Sequence, residues 1–259
     1  MSSPFGFSGD PSSRVVATAI HAGHDVRPEV AALLALDDAT RLREEDPFTD
    51  RMTSCADFRV TVWRSRFEVD LNRSRKEAVY RDPGDAWSLT VWRTDPPPDV
   101  VQRSLEIHDS FYEELGSHLD QLSDSGPFVV LDIHSYNHRR GGPGSKAAAQ
   151  VGNPDVNVGT GSMPATWRPV ANAFIAALAQ QRPGGRPLDV RENVRFKGRH
   201  LARWVHERYP KTGCALALEF KKTFMDEWTG EVDVDHLDSL TSALRNAVPS
   251  VLDSLERAA

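Results

Sequence analysis

The stretch Gly126–His138, GPFVVLDIHSYNH, decides the fold of this chain and contains its first candidate site residue. Its four consecutive apolar residues, Phe128–Leu131, are typical of a strand that is buried on both faces of a sheet. The run then gives way to polar side chains, among them Asp132 and His134. Because the carboxyl ends of strands border the crevice of an open α/β sheet, His134 is a candidate metal ligand or catalytic group. A purely structural histidine is the alternative.

Further strands and helices alternate along the 259 residues. Apolar or β-rich runs predict strands at Arg14–Ile20, from Arg59 onward, and at Trp87–Arg93, Leu188–Val194 and Cys214–Phe220. Apolar residues at helical spacing predict helices at Glu29–Leu36, Val100–Ser123, Met163–Gln181, Arg199–Tyr209 and Val234–Leu255. The alternation predicts one three-layer αβα domain over residues 14–259, with a mixed, mostly parallel sheet.

Composition argues against several classes of protein. The net charge of −6 and the scattered Lys and Arg argue against a nucleic-acid partner. The two cysteines form no CxxC pair, so any metal would be held by histidines and carboxylates. No apolar run approaches the roughly 18 residues of a membrane span, and MSSPFGFSGDPSS lacks the regions of a signal peptide. We therefore expect a cytoplasmic protein with no membrane partner and a flexible leader at residues 1–13.

Polar residues also follow the first predicted strand. His21 and His24 stand three apart directly after it, so they could share one metal ion, although loop packing is the alternative. Arg41–Asp50 then concentrates carboxylates, including Glu45 and Asp46, before the helix-stopping Pro47. Most acidic clusters are solvated surfaces, so this segment is a candidate source of a metal ligand only in combination with the histidines.

Two more strand ends have side chains suited to substrate chemistry. The pair Asn72-Arg73 is a ready fork for a carboxylate, because guanidinium and amide groups offer several N–H donors. A surface ion pair of Arg73 with Asp70 or Glu68 is the alternative. Glu219 ends an apolar strand, where a carboxylate is costly unless it is paired, hydrogen-bonded or needed. It is therefore the best acid/base candidate in the chain.

All these residues could meet at one rim of the sheet. Two histidines and a carboxylate suffice to hold Zn²⁺ with a position left for water, and a nearby Glu can take the proton of that water. Mn²⁺, Fe²⁺ and Co²⁺ also bind such sites. The set predicts metal-assisted amide hydrolysis of a small molecule that has a carboxylate.

Six motifs occur in a distinctive order along the chain. They are His21, Glu45-Asp46-Pro47 with Asp50, Arg66 followed by Val69–Arg73, Leu131–Ser135, Asn193–Gly198, and Leu218-Glu219 followed by Met225-Asp226-Glu227. From about Val15 to Gly230 the chain thereby resembles the N-formylglutamate amidohydrolase (deformylase) family. That family is similar in fold and site layout to zinc carboxypeptidases and aspartoacylases. The resemblance implies a zinc carboxypeptidase-like, phosphorylase/hydrolase-like fold and cleavage of N-formyl-L-glutamate to formate and L-glutamate.

The resemblance also implies metal ligands and a base. His21 and His134 look like zinc ligands, and Glu219 looks like the general base that later protonates the leaving amine. Carboxypeptidase-like sites place a Glu three residues after the first His, where this chain has His24. We expect Asp46 to be the third ligand, with His24 and Glu45 as alternatives.

The remaining implied roles concern the substrate, an N-acyl amino acid with a carboxylate. Asn72 and Arg73 would clamp its α-carboxylate, and Asn193 is a further expected substrate contact. Arg66 could hold a second carboxylate or polarise the scissile carbonyl. Asp132 could orient the neighbouring metal ligand.

Two departures from the family pattern bear on the substrate. Ile20-His21-Ala22-Gly23 replaces the usual Pro-His-Ser-Gly, and Gly198-Arg199 replaces a glycine pair. Arg199 could favour an acidic substrate group or point to solvent. Alternatives are a metallo-amidase or carboxypeptidase for another N-acyl amino acid or peptide, and a non-catalytic ligand-binding protein. A serine hydrolase using Ser135 lacks a GxSxG motif.

Overall fold

The computed structural model describes residues 3–258. Its strands are β1 (Phe5–Gly9), β2 (Val15–Ala19), β3 (Phe58–Val62), β4 (Phe128–Tyr136), β5 (Val156–Gly159), β6 (Val190–Glu192) and β7 (Gly213–Lys221). Its α-helices are α1 (Pro28–Ala31), α2 (Asp38–Glu44), α3 (Thr49–Met52), α4 (Pro98–Ser125), α5 (Arg168–Ala179), α6 (His200–Arg208) and α7 (Val234–Ala258). Short 3₁₀ turns occur at Thr53–Cys55, Arg75–Glu77, Pro83–Ala86, Gln150–Gly152, Ala165–Trp167 and Pro183–Gly185.

The strands of this described range form one mixed sheet in the order β1-β3-β2-β4-β7-β5-β6. β3, β2, β4 and β7 are parallel neighbours at its centre, and β5 and β6 are parallel to each other. β1 pairs antiparallel with β3, and β5 pairs antiparallel with β7. The predicted mixed, mostly parallel sheet is therefore confirmed.

Helices cover both faces of the sheet. Val129, Leu131 and Ile133 of β4 pack in the same apolar cluster as α5 and α7, whereas Phe128 and Val130 pack with α4 and α6. Successive side chains of a strand point to opposite faces, so a strand between two helical layers needs apolar residues at every position. This confirms the doubly buried strand predicted from the apolar run and the three-layer αβα architecture predicted from the alternation of strands and helices.

The sequence of helix α4 explains where the helix begins, which face it buries and where it ends before the central strand β4. Pro98 stands in its first turn, where the missing N–H costs nothing. Phe111, Leu115 and Leu119 recur every fourth residue and are completely buried. Gly126 ends the helix at a φ of 135°, a conformation that favours glycine, and the chain enters β4 two residues later. None of the described helices is long and apolar enough to cross a membrane.

The prediction of a flexible leader at residues 1–13 is wrong for the described part of that segment. β1 pairs with β3 from Phe5 opposite Val62 to Gly9 opposite Phe58. Phe5 is buried and meets Phe111 edge-on at 5.4 Å between ring centroids. The strand escaped prediction because it is short and rich in glycine and serine, and burial against α4 stabilises it. Residues 1–2 lie outside the described range.

The segment between β3 and α4 also differs from prediction. The expected strand Trp87–Arg93 is irregular, because Trp87 and Ser88 adopt left-handed φ angles of 52° and 71°. Only Trp92 pairs in strand fashion there, in an isolated bridge with Leu34. Residues 63–97 therefore form a long connection in which the only regular elements are two 3₁₀ turns.

Candidate active site

The register of β4 and β7 brings two predicted residues together. The strands are parallel neighbours, and His134 lies opposite Glu219. By strand alternation both side chains belong to the face that Val130 and Ala215 share with α4 and α6. Both also stand near the carboxyl ends of their strands, so an imidazole and a carboxylate face the same space.

Three predicted metal ligands converge beside this pair. His21 follows β2, His134 belongs to β4, and Asp46 follows α2. Their candidate ligand atoms all lie within 4.8 Å of one another, and all three side chains are buried. Asp46 Oδ2 is 3.0 Å from His134 Nδ1 and 3.4 Å from His21 Nδ1. Two imidazole nitrogens and a carboxylate oxygen are therefore close enough to bind one ion together.

A carboxylate oxygen lies near the far nitrogen of each imidazole, and the one near His21 is hydrogen-bonded to it. His21 Nε2 lies 2.7 Å from Asp70 Oδ1, and His134 Nε2 lies 3.0 Å from Asp132 Oδ2. Thr18 donates to the other oxygen of Asp132 at 2.9 Å. Carboxylates in this position fix the tautomer and orientation of a metal-binding histidine. The Nδ1 atoms are thus the ones presented towards Asp46.

The donor set fits a divalent transition metal. His21 Nδ1 is buried and makes no hydrogen bond within the described residues. A buried polar atom without a partner is rare and costs free energy, so its place beside two other donors needs an explanation. Two histidine nitrogens and one carboxylate are a common protein set for Zn²⁺. The group formed by His21, Asp46 and His134 could therefore bind a metal ion.

The two alternative third ligands are engaged with each other. His24 Nδ1 lies 2.5 Å from Glu45 Oε2, and Ser65 donates to the other oxygen of Glu45. The guanidinium of Arg41 lies 3.1 Å from His24 Nε2. These contacts hold His24 and Glu45 apart from the converging donors, and only Asp46 of the three candidates joins them.

Lys222, a buried lysine that was not among the predicted site residues, holds the backbone that precedes Asp46. Lys222 Nζ donates to the backbone carbonyls of Arg43 and Glu45, both at 2.6 Å. The Asp46 N–H donates to the carbonyl of His21 at 2.9 Å. Burial lowers the pKa of Lys222. The signal in the sequence is its position just after β7, three residues beyond Glu219.

Glu219 opens onto the cavity that the metal-ligand candidates also line. Burial of the carboxyl group raises its pKa to about 7, although His134 and Arg66 act in the opposite direction. A carboxylate with a pKa near neutrality can both accept and return a proton at physiological pH. Its position beside His134 therefore suits a general base.

Arg66 and Asn72 line the same cavity. The guanidinium of Arg66 donates to Asp70 at 2.9 Å and to the Tyr80 hydroxyl at 3.1 Å, and it stacks over the Trp87 ring. The amide oxygen of Asn72 accepts the Leu201 N–H at 3.1 Å, which turns its amide nitrogen towards His134. Both side chains are thus held by the protein while they face the candidate reaction space.

Arg73 and Asn193 are not among the residues that line this cavity. Arg73 donates to the Asp85 carbonyl at 2.5 Å, and its Nε lies 3.5 Å from Asp70. Asn193 adopts a left-handed φ of 54° and exchanges hydrogen bonds with Thr160. Their observed contacts join neighbouring loops to each other. Their expected roles in substrate binding stay predictions.

The sequence matches the model of the N-formylglutamate amidohydrolase family over residues 13–225. The chain belongs to this family. Members are hydrolases that act on amide C–N bonds, so the predicted reaction class is confirmed. No curated protein is significantly similar to the chain in sequence.

Solved structures share the fold of this family member. An N-formylglutamate amidohydrolase from Ralstonia eutropha JMP134 aligns with a TM-score of 0.78, 14% identity and complete coverage of both chains. A gene product from Agrobacterium tumefaciens aligns with a TM-score of 0.69 and 14% identity, covering 98% of this chain and 97% of its own. At such identities the likeness establishes the fold alone.

Proposed function

We propose that this member of the family is a zinc-dependent amidohydrolase that converts N-formyl-L-glutamate and water to formate and L-glutamate. The observation that carries the proposal is the convergence of His21, Asp46 and His134 within 4.8 Å, in a cavity that Glu219 also lines. The name of the Ralstonia relative supports the choice of substrate.

The metal would be held by Nδ1 of both histidines and by the Asp46 carboxylate. Asp70 and Asp132 support this arrangement, since each lies against the far nitrogen of one imidazole. When bound, Zn²⁺ supplies Lewis acidity, which lowers the pKa of water and polarises a carbonyl group.

Glu219 moves the proton in the proposed reaction. Its carboxylate accepts a proton from the water that attacks the formyl carbon, and it later gives that proton to the leaving amine nitrogen. The C–O bond forms first and moves the carbonyl π electrons onto oxygen, and the return of those electrons breaks the C–N bond. The second proton of the water then passes from formic acid to the released amine, which leaves formate and balances atoms and charge. The raised pKa, about 7, keeps both protonation states accessible.

Arg66 stabilises charge on the carbonyl oxygen in this scheme. Its guanidinium is already oriented by Asp70 and Tyr80, so little reorganisation is needed when the oxygen becomes negative. Asn72, with Arg73 as the expected partner, would contact the substrate α-carboxylate.

Metal analysis combined with turnover tests the proposal. We expect about one zinc per chain in the purified protein and amine release from N-formyl-L-glutamate that stops on chelation and returns with Zn²⁺. Glu219→Gln should retain zinc and lower kcat by roughly 10²–10⁴-fold. Turnover that persists without metal, or a Glu219→Gln variant of wild-type activity, would contradict the mechanism. Loss of zinc in Glu219→Gln would move Glu219 into the ligand set.

A further inference from the structure

A second cavity of about 290 Å³ adjoins the catalytic one. The segment Arg195–Arg199 forms one wall, and Ala217 of β7 contributes to the other. Asn72, His134 and Glu219 line both cavities. A molecule whose amide bond lies beside Glu219 therefore has room to extend towards the 195–199 segment.

This side cavity is strongly cationic. Arg195, Lys197 and Arg199 all line it, and Glu219 is the one carboxylate among its lining residues. Within residues 3–258, none of these three cations has a carboxylate within the 4.0 Å of an ion pair. By contrast, Arg66 and Arg140 of the catalytic cavity pair with Asp70 and Glu44. The side cavity thus presents positive charge that the protein itself does not neutralise.

Arg199 and Lys197 are the two cations of this group whose side chains have no protein partner among the described residues. Arg195 donates to the side-chain oxygen of Asn153 and stacks over the Tyr136 ring at 5.1 Å. Arg199 makes no side-chain hydrogen bond or ion pair in residues 3–258, and it lines both cavities. Lys197 lines the side cavity alone, so Arg199 is the unpartnered cation that lies nearest the site of the proposed reaction.

The backbone that presents Arg199 is tightly packed. Gly161 donates to the Lys197 carbonyl at 2.7 Å, and a Cβ atom on Gly159 would come within 2.5 Å of the Gly198 nitrogen. Gly198 itself has a φ of 85°, which favours glycine. Close contact with β5 therefore fixes the segment, and the guanidinium of Arg199 projects from a defined position.

We propose that Arg199, assisted by the charge of Lys197, binds the side-chain carboxylate of the amino-acid half of the substrate. This inference rests on the proposed function for the position of the scissile amide. A guanidinium matches a carboxylate with two parallel hydrogen bonds, whereas it gains much less from a neutral amide. The preferred substrates are then N-acyl derivatives of amino acids with an acidic side chain, which is the feature that separates glutamate from glutamine.

Binding of the product amino acid tests this role without requiring turnover. Titration calorimetry on the zinc-loaded enzyme should give L-glutamate a dissociation constant at least about tenfold below that of L-glutamine. Arg199→Gln should abolish that difference by weakening glutamate binding, and Arg199→Lys should restore part of it. Arg203→Gln is the matched control, because Arg203 lies one helical turn further on and lines neither cavity.

Parallel measurements of kcat/KM on N-formyl-L-glutamate and N-formyl-L-glutamine separate the two proposals. If Arg199→Gln retains the wild-type preference, or if the wild type has none, the role of Arg199 is wrong even when hydrolysis occurs. If Arg199→Gln loses the binding preference while no variant hydrolyses either amide, the carboxylate subsite stands and the proposed reaction fails.

Discussion

Two regions border the same cavity but are built differently. The strand-end cluster consists of His21, His134 and Glu219, at the ends of β2, β4 and β7, together with Asp46, which follows α2. All four residues line the cavity. The loop wall, which consists of residues 63–97 and 193–199, includes four predicted residues. Arg66 and Asn72 line the cavity, whereas Arg73 and Asn193 do not.

The difference shows that a strand determines the direction in which its side chains point, whereas a loop does not. Along β4 and β7 the pleat and the register determine which side chains face the cavity, so a polar residue at a strand's carboxyl end has a defined direction. In the loop wall no pleat sets the direction of side chains, and Trp87 and Asn193 adopt left-handed φ angles that interrupt any extended pattern. Strand-end residues are therefore the better starting point for reasoning from sequence to site.

The largest effect that we expect is loss of the metal from the cluster. Asp46→Ala should remove stoichiometric zinc and abolish turnover, because two histidines alone leave the site short of one donor. His24→Ala should retain zinc, since His24 contacts Glu45 and Arg41 instead. Elemental analysis of both purified variants checks this. Zinc that survives in Asp46→Ala but disappears in His24→Ala would reverse the assignment.

A smaller effect concerns the carboxylate behind His21. Asp70→Asn should keep the fold but weaken zinc binding about 10–100-fold, because the amide orients the imidazole less strongly than a carboxylate does. Competition with a chromophoric chelator measures the affinity. Asp85→Asn is the matched control, since Asp85 also contacts Arg73 but lies away from His21. Equal zinc affinity in the two variants would show that Asp70 serves the loop wall alone.

A last effect concerns folding stability rather than zinc binding, and it involves α6, the helix that follows the loop wall. His206 Nε2 accepts the Ala215 N–H of β7 at 2.9 Å, and burial lowers the pKa of His206 from 6.5 to about 4. Its neutral form is favoured in the folded state, so this stabilisation is complete above pH 6.5 and is lost as pH falls to about 4. Since a pKa unit corresponds to about 1.4 kcal/mol, the loss is about 3 kcal/mol at most.

Urea unfolding of the wild type and His206→Gln across this pH range measures that loss. Gln can accept the same hydrogen bond but does not titrate, so the free energy of unfolding of the wild type should fall more steeply on acidification. If the free energy of unfolding falls equally with pH in the two proteins, His206 contributes nothing to the loss of stability in acid.

Much of the architecture could be predicted from the sequence, because the spacing of apolar residues determines which segments form strands and which form helices. The apolar run of β4 and the helical periodicity of α4 identified a strand with two buried faces and a covering helix, and both exist. Strand β1 escaped prediction because its five residues show too little pattern, and pairing with β3 stabilises it. Trp87–Arg93 was predicted wrongly because its composition suits a strand while the left-handed residues at its start prevent one.

The sequence by itself determined the layers of the fold, the family, and the kinds of side chain at the ends of the central strands, because these depend on local pattern and on ordered motifs. Only the tertiary structure decided that β7 lies beside β4, that Asp46 rather than His24 joins the two histidines, and that Lys222 fixes the Asp46 loop. It also decided that Arg199 faces the side cavity while Arg73 contacts Asp85. These outcomes depend on strand order, register and loop conformation, which are set by contacts between residues far apart in the chain.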